Sequence, residues 1–354
     1  MSTDTQKTTI AAVEPMVLAF NVTVSAIQKV GANFLRITFG GYELRDFGVH
    51  GPCLDLRIKL IIPSKTPSGG RAPLPSFNTA ELNTANASWY QQWLAMDPEI
   101  RGDMRTYTVR EARLDGVYPE IDVDFVIHVD AEGHSGPAAA WALEAQPGDR
   151  MVIIGPNNHA AHCITAETYS GIEFRPGMAQ RVLLAGDETA VPAISAILES
   201  LPAHIQGEAF LEVPEAADFQ DISTQAAVQI TWLARGAALG RSRPHGELLQ
   251  EAVRSAIQLP GWVALKEAHA AGPEPEDVNV DQDILWETPQ RLNAATVQSS
   301  RNPNVPSGAL PFYAWLAGEA GVIKELRRYL VRDVGIDRKQ VAFMGYWRAG
   351  KAEL

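Results

Sequence analysis

The six residues Arg105-Thr106-Tyr107-Thr108-Val109-Arg110 bring together one aromatic ring, two hydroxyls and two guanidiniums. β-branched and aromatic types favour a strand here. On a strand, Arg105, Tyr107 and Val109 share one face and Thr106, Thr108 and Arg110 the other. A face with a planar ring beside a guanidinium suits a flat, phosphate-bearing ligand such as a flavin: the ring stacks and the cation pairs with phosphate. Arginine and threonine on the wet face of a barrel strand would read the same way. Further on, the strand 121–128 ends at His128 and leads through a loop containing His134 to Gly136-Pro137-Ala138, which opens an Ala-rich helix. Proline suits a first helical turn. The free N–H groups and dipole at such a start attract an anion such as a pyrophosphate. His128 is either a ligand of that anion or a satisfied structural histidine.

A second group of candidates lies at the ends of apolar runs. The run 180–185 shows no alternation, as expected of a parallel strand covered on both faces, and it delivers Gly186-Asp187-Glu188-Thr189. Thr189 reads as the N-cap of a helix over 190–201. Strands over 208–213, 229–233 and 312–317, with a helix over 247–257 between them, complete an α/β pattern. Ligands of such sheets bind at the carboxyl ends of the strands. Those ends hold Asp187 and Thr189, Ala234-Arg235-Gly236, and Ala317-Gly318-Glu319. No Gly-x-Gly-x-x-Gly fingerprint is present, so a standard Rossmann site is not expected. Arg235, with Arg241 and Arg243, could take a 2′-phosphate, which points to NADPH; a solvated loop explains the same residues. On a helix over 321–334, Lys324, Arg327, Arg328 and Arg332 fall at spacings that share one face. That stripe is either a solvated face or a cationic rim.

The elements that must position these groups fall into two sets. Before residue 160 the chain shows short strands, 17–28, 34–39, 53–62, the flavin strand, 121–128 and 151–154, with a short helix over 88–96 and no long helix. This is the pattern of a small antiparallel barrel. Lys59 lies in the third of these strands, either toward a ligand or on the wet face. The expected division is a barrel domain over 1–170 and an α/β domain over 171–354. The second carries an inserted surface loop at 265–310, with one short helix over 289–295, and a tail containing Tyr346-Trp347-Arg348.

The chain has 354 residues, of which 46% are hydrophobic and 20% charged, as in a globular protein. A net charge of -12 argues against nucleic acid and anionic membranes as partners. Two cysteines, Cys53 and Cys163, are too few for an iron–sulfur cluster. They read as buried thiols, and no metal ligand set is expected. The first fifteen residues lack a signal-peptide core and no apolar run matches a membrane span, so a cytoplasmic monomer is expected.

From Val17 to Gly350 the ordered motifs Arg105–Arg110, His128 with Gly136-Pro137, Gly186-Asp187-Glu188-Thr189, Ala317-Gly318-Glu319 and Gly345-Tyr346-Trp347-Arg348 resemble the siderophore-interacting proteins. These are flavin-dependent ferric-siderophore reductases of the ferredoxin-reductase-like superfamily. The resemblance implies a Greek-key antiparallel β-barrel for FAD followed by an α/β domain with a parallel sheet for NAD(P)H. It implies flavin contacts from Arg105, Thr106, Tyr107, Thr108, Val109 and Arg110, with Tyr107 against the ring. Pyrophosphate would be held by His128, Gly136, Pro137 and Ala138; Ala138 replaces the serine often found there. Asp187 and Thr189 would touch the adenosine end of FAD or the nicotinamide site. Arg235, Gly318 and Glu319 would serve NAD(P)H. Lys59, Lys324, Arg327 and Arg328 would receive an acidic ferric siderophore. The implied reaction passes electrons from NAD(P)H through FAD to Fe(III), and no side chain need act as acid, base or nucleophile. A flavin- or siderophore-binding protein without turnover, a general NAD(P)H–flavin reductase and an oxygenase-partner reductase are the other readings; the last usually needs an iron–sulfur relay.

Overall fold

The computed structural model describes residues 15–66, 68–75, 89–128, 133, 135–160, 165–236, 242–257, 285–289 and 312–350. His134, Cys163, Arg241 and the helix expected over 289–295, Pro289 apart, lie outside them. The first half contains β1 (Val17–Lys29), β2 (Phe34–Gly40), β3 (Arg57–Ile62), α1 (Trp89–Ala95), α2 (Pro98–Arg101), β4 (Asp103–Thr108), β5 (Glu111–Arg113), β6 (Glu120–Val126), α3 (Pro137–Glu144) and β7 (Arg150–Pro156). Alternation drives this half. In β1, Phe20, Val22 and Val24 turn inward while Asn21, Thr23 and Ser25 face water. Ile121, Val123 and Phe125 of β6 join the same core, which Trp141 of α3 closes at one end. The seven strands form one curled antiparallel sheet in the order β4-β3-β7-β1-β2-β6-β5. β4 is therefore an outer strand whose far edge pairs with no other strand among the described residues. It is entered through Gly102, whose φ is +71° and whose Cβ would stand 2.4 Å from the Ile62 carbonyl oxygen. Only glycine fits there.

The strand expected over 53–62 starts later, at Arg57. Leu54 has φ 51°, in the left-handed region, so the chain turns and sends Asp55 into the interior. Alternation in the sequence runs through that turn and hides it.

The second half contains β8 (Arg181–Gly186), α4 (Val191–Ser200), β9 (Gln206–Val213), β10 (Ala227–Ala234), α5 (Glu247–Ala256), β11 (Trp286–Glu287), β12 (Phe312–Glu319), α6 (Ala320–Arg328) and β13 (Val341–Trp347). Its sheet order is β10-β9-β8-β12-β13-β11. Five strands run parallel, and β11 pairs antiparallel with β13. The sheet is thus mixed rather than purely parallel. Both faces are covered, which is why β8 reads as a continuous apolar run. Val182 and Leu184 face α4, whereas Leu183 and Ala185 face α5 and α6. Two of these strands escaped the sequence reading: β13, taken for a tail, and β11, within the expected surface loop. There Leu285 is 2% exposed and Thr288 fully buried, so part of the insertion belongs to the core.

The two sheets are joined by side chains as well as by the linker. Phe34 of β2 is buried in the α4-side core of the second half. The Asn33 amide and side chain donate to Asp218 at 2.7 and 2.8 Å. Arg110 makes two bonds of 2.6 Å to Glu199 of α4. The fully buried Asp55 carboxylate accepts from the linker amides of Glu173 and Phe174 and from the Trp315 indole at 3.1 Å.

Candidate functional site

β4 presents the hexapeptide much as strand geometry requires. Arg105 and Tyr107 stand opposite Leu60 and Ile58 of β3, which point into the barrel core, while Thr106 and Thr108 stand opposite Lys59 and Arg57 on the outer face. The Tyr107 ring packs 4.5 Å from that of Phe125. Arg105 is only lightly engaged, donating to the Met104 carbonyl at 2.9 Å and lying 3.9 Å from Asp103. Val109 and Arg110 follow the strand, and both are buried. Arg110 is held by Glu199 and is thereby committed to joining the halves. Lys59 donates to the Thr106 hydroxyl on the outer face.

The start of α3 carries free donors. Its N-cap is Gly136, with no side-chain cap, and Pro137 follows. The first-turn N–H groups therefore lack an internal partner, and a Cβ at Gly136 would meet nothing within 4 Å. Open amides at a helix start, an unpaired strand edge and a lightly held guanidinium fit the pyrophosphate and ring edge of a dinucleotide flavin.

At the carboxyl end of the second sheet the predicted residues meet, but most are already engaged with one another. Asp187, after β8, accepts from the Thr189 amide (2.9 Å) and hydroxyl, the Glu319 amide (2.7 Å) and the Trp347 indole (2.9 Å). It ties the ends of β8, β12 and β13 together. Gly318 permits this approach: its φ is +147°, and a Cβ would stand 2.6 Å from the Asp187 carboxylate. Glu319 caps α6, accepting from the Val322 amide at 2.9 Å. Thr189 bonds Asp187 and leaves the N-cap position of α4 to Ala190. Arg235, at the end of β10, forks onto Glu188 at 2.6 and 2.7 Å and reaches Glu212 at 3.3 Å. Both carboxylates are fully buried. Glu212 also accepts from the Gly246 and Leu249 amides at 2.6 and 2.8 Å.

Sequence alone assigns no role to Glu212 or His245, and to Glu188 only a place in a strand-end motif; their charged partners are 23 to 60 positions away and only the fold brings them together. The His245 ring stands 3.4 Å from Asp187 and 3.7 Å from Glu188, distances of an ion pair rather than of aligned hydrogen bonds. Burial disfavours the charged imidazole, but Asp187 and Glu188 outweigh it and raise its pKa to about 10. Burial likewise pushes Glu188 up, and His245 and Arg235 overcome it, holding the carboxyl down to about 2. Trp347 stands edge-to-face with His245 at 5.1 Å and 6.1 Å from His128. His128, half-exposed at the end of the barrel's β6, lies 3.5 Å from Glu188. The end of the barrel after β6 and the carboxyl end of the second sheet therefore meet at His128, Glu188 and Trp347.

The basic stripe does not assemble. α6 ends at Arg328 and a π-helical turn, Tyr329–Asp333, rotates Arg332 away from the α-helical spacing. Arg327 is 6% exposed and bonds Glu287 of β11 at 2.8 Å, so it serves the fold. Arg328 is exposed and Lys324 half-buried. Among the described residues no group of three or more His, Cys, Asp or Glu could hold a metal ion. No helix among them is long and apolar enough to cross a membrane.

The chain thus joins a curled antiparallel sheet to a mixed, mostly parallel α/β sheet. Residues 23–160 match the siderophore-interacting FAD-binding domain and residues 179–350 match the siderophore-interacting protein model. The chain belongs to the siderophore-interacting protein family. It is 28% identical over 329 residues to the ferric vibriobactin reductase ViuB of Vibrio cholerae, covering 92% of this chain and 87% of that one. It is 28% identical over 181 residues to the NADPH-dependent ferric-chelate reductase of Escherichia coli, 51% of this chain and 56% of the other. The crystal structure of the siderophore-interacting protein SipS from Aeromonas hydrophila aligns with a TM-score of 0.59 at 27% identity, covering 96% and 94% of the two chains.

Proposed function

We propose that this protein is a ferric-siderophore reductase that uses NAD(P)H and FAD. The observation that carries the reading is the meeting of the two halves: His128, just after β6, stands 3.5 Å from Glu188, just after β8. A flavin held on the barrel and a nicotinamide held on the sheet would then lie within reach of each other. Bound there, FAD would accept two electrons from a reduced nicotinamide and pass them singly to Fe(III) in a chelate. The residues bind and orient. Tyr107 and the open edge of β4 would hold the ring, and Arg105, His128 and the amides following Gly136 the pyrophosphate. The 1–170 segment would be the FAD domain and the 171–354 segment the nucleotide domain. Lys59, with Lys324 and the exposed Arg328, would attract an anionic ferric siderophore, a screened and chiefly kinetic effect. A cytoplasmic monomer is the working form under this reading.

Stopped-flow spectroscopy under anaerobic conditions tests it in two halves. Adding NAD(P)H to the yellow protein should bleach the flavin, and adding a ferric siderophore should restore the colour. Lys59→Ala should slow only the second half, most at low salt. A flavin that never bleaches leaves a binding protein without turnover and overturns the reading.

A further inference from the structure

We propose that the nucleotide taken at the carboxyl end of the second sheet is one without a 2′-phosphate, NADH rather than NADPH. The inference rests on the reductase reading and adds the identity of its electron donor. Of the cations that the sequence offers to a 2′-phosphate, the two among the described residues, Arg235 and Arg243, are already claimed by carboxylates. Arg235 spends both ends of its fork on Glu188, at 2.6 and 2.7 Å, and its remaining reach on Glu212. Its side chain is 12% exposed, against 0% for both partners. Turning it toward a phosphate would strand two buried carboxylates, the arrangement proteins tolerate least. Arg243 is more exposed, but it bonds Glu247 at 3.0 Å and Glu251 at 2.5 Å. His245, the third cation, is set between Asp187 and Glu188.

Among the described residues, three cations, Arg235, Arg243 and His245, thus face five carboxylates, Asp187, Glu188, Glu212, Glu247 and Glu251. A phosphate dianion brought here meets net negative charge in a partly buried setting, and like-charge juxtaposition is how such sites reject a ligand. A ribose diol carries no charge and can donate to a carboxylate. The accessible carboxylates beside Arg243, Glu247 and Glu251, therefore disfavour the phosphate and can accept from an unphosphorylated ribose.

The test compares the FAD-loaded protein with two pairs of ligands. Flavin reduction should be faster with NADH than with NADPH by about tenfold or more in kcat/KM. Calorimetry should show ADP-ribose binding more tightly than 2′-phospho-ADP-ribose by a similar factor. The double variant Glu247→Gln with Glu251→Gln removes two surface carboxylates from beside Arg243 and should narrow both gaps several-fold, mainly by improving the phosphorylated member. Equal use of the two nucleotides, or a preference for NADPH, overturns the inference. A gap that the double variant leaves unchanged overturns its electrostatic origin. If neither nucleotide reduces the flavin, the reductase reading fails, and the calorimetric pair still decides the ligand preference. If neither ADP-ribose binds, the strand ends are not a nucleotide site and both fall.

Discussion

Removing Arg235 should destabilise the protein more than any exposed charge change, in a way that depends on pH. Arg235→Met deletes the fork onto Glu188 and the contact with Glu212, both fully buried. Breaking a buried pair by removing one partner costs about 3–5 kcal/mol. The carboxyl of Glu188 gives an independent figure. Held down from 4.5 to about 2, it reflects about 3 kcal/mol of preference for the charged form, shared between His245 and Arg235. Glu212 keeps the amides of Gly246 and Leu249, and Glu188 keeps His245, so the lower end of the range, about 3 kcal/mol, is expected. The folded pKa of Glu188 lies below its unfolded value, so its contribution is present above pH 4.5 and is lost as pH falls toward 2. The defect in Arg235→Met should accordingly be full at pH 7 and shrink on acidification. Urea unfolding, which leaves charge interactions unscreened, measures it. A second variant, Arg235→Met with Glu188→Gln, should recover part of the loss because one of the two buried carboxylates that Arg235 serves is then uncharged. A loss below about 1 kcal/mol at pH 7, as for a surface pair, would refute the reasoning. So would a loss that stays constant down to pH 3.

Arg105→Ala and Tyr107→Ala should each weaken FAD retention by roughly tenfold to a hundredfold, about 1–3 kcal/mol. Flavin content after dialysis reads this out, and full flavin in both variants would remove β4 from the binding site. The His245 ring should titrate near pH 10, followed by its imidazole proton resonances. Its folded pKa lies above its ordinary 6.5, so its contribution to stability is complete below that pH and disappears as pH rises through about 10. Replacing Asp187 by Asn should move the titration back toward neutrality.

The sequence carried the barrel and the core of the second sheet because their signals are local. Alternation in β1 and the apolar run of β8 both record which faces are covered, and each can be read within a few residues. Strand β11 could not be read that way. It is two residues long and exists because β13 offers an edge to pair with. The acidic ends of β8 and β9 were half legible: a carboxylate at a strand end is visible, but its partner is not. Glu188 and Arg235 are 47 positions apart, and Arg327 meets Glu287 across 40. The spacing of the basic stripe was correct for a helix. Its exposure was decided by a segment arriving from elsewhere in the chain.

Asp55 has a consequence for how the two halves can be separated. Its carboxylate sits in the interior of the molecule, and its donors among the described residues, Glu173, Phe174 and Trp315, come from beyond residue 170. A barrel cut at that point would keep the carboxyl and lose the three donors that hold it, leaving only the nearby Arg57. Barrel and sheet are thus not interchangeable modules. A chimera that grafts this barrel onto another reductase must bring the linker amides and an indole donor with it, or replace Asp55 with a residue that can be buried alone.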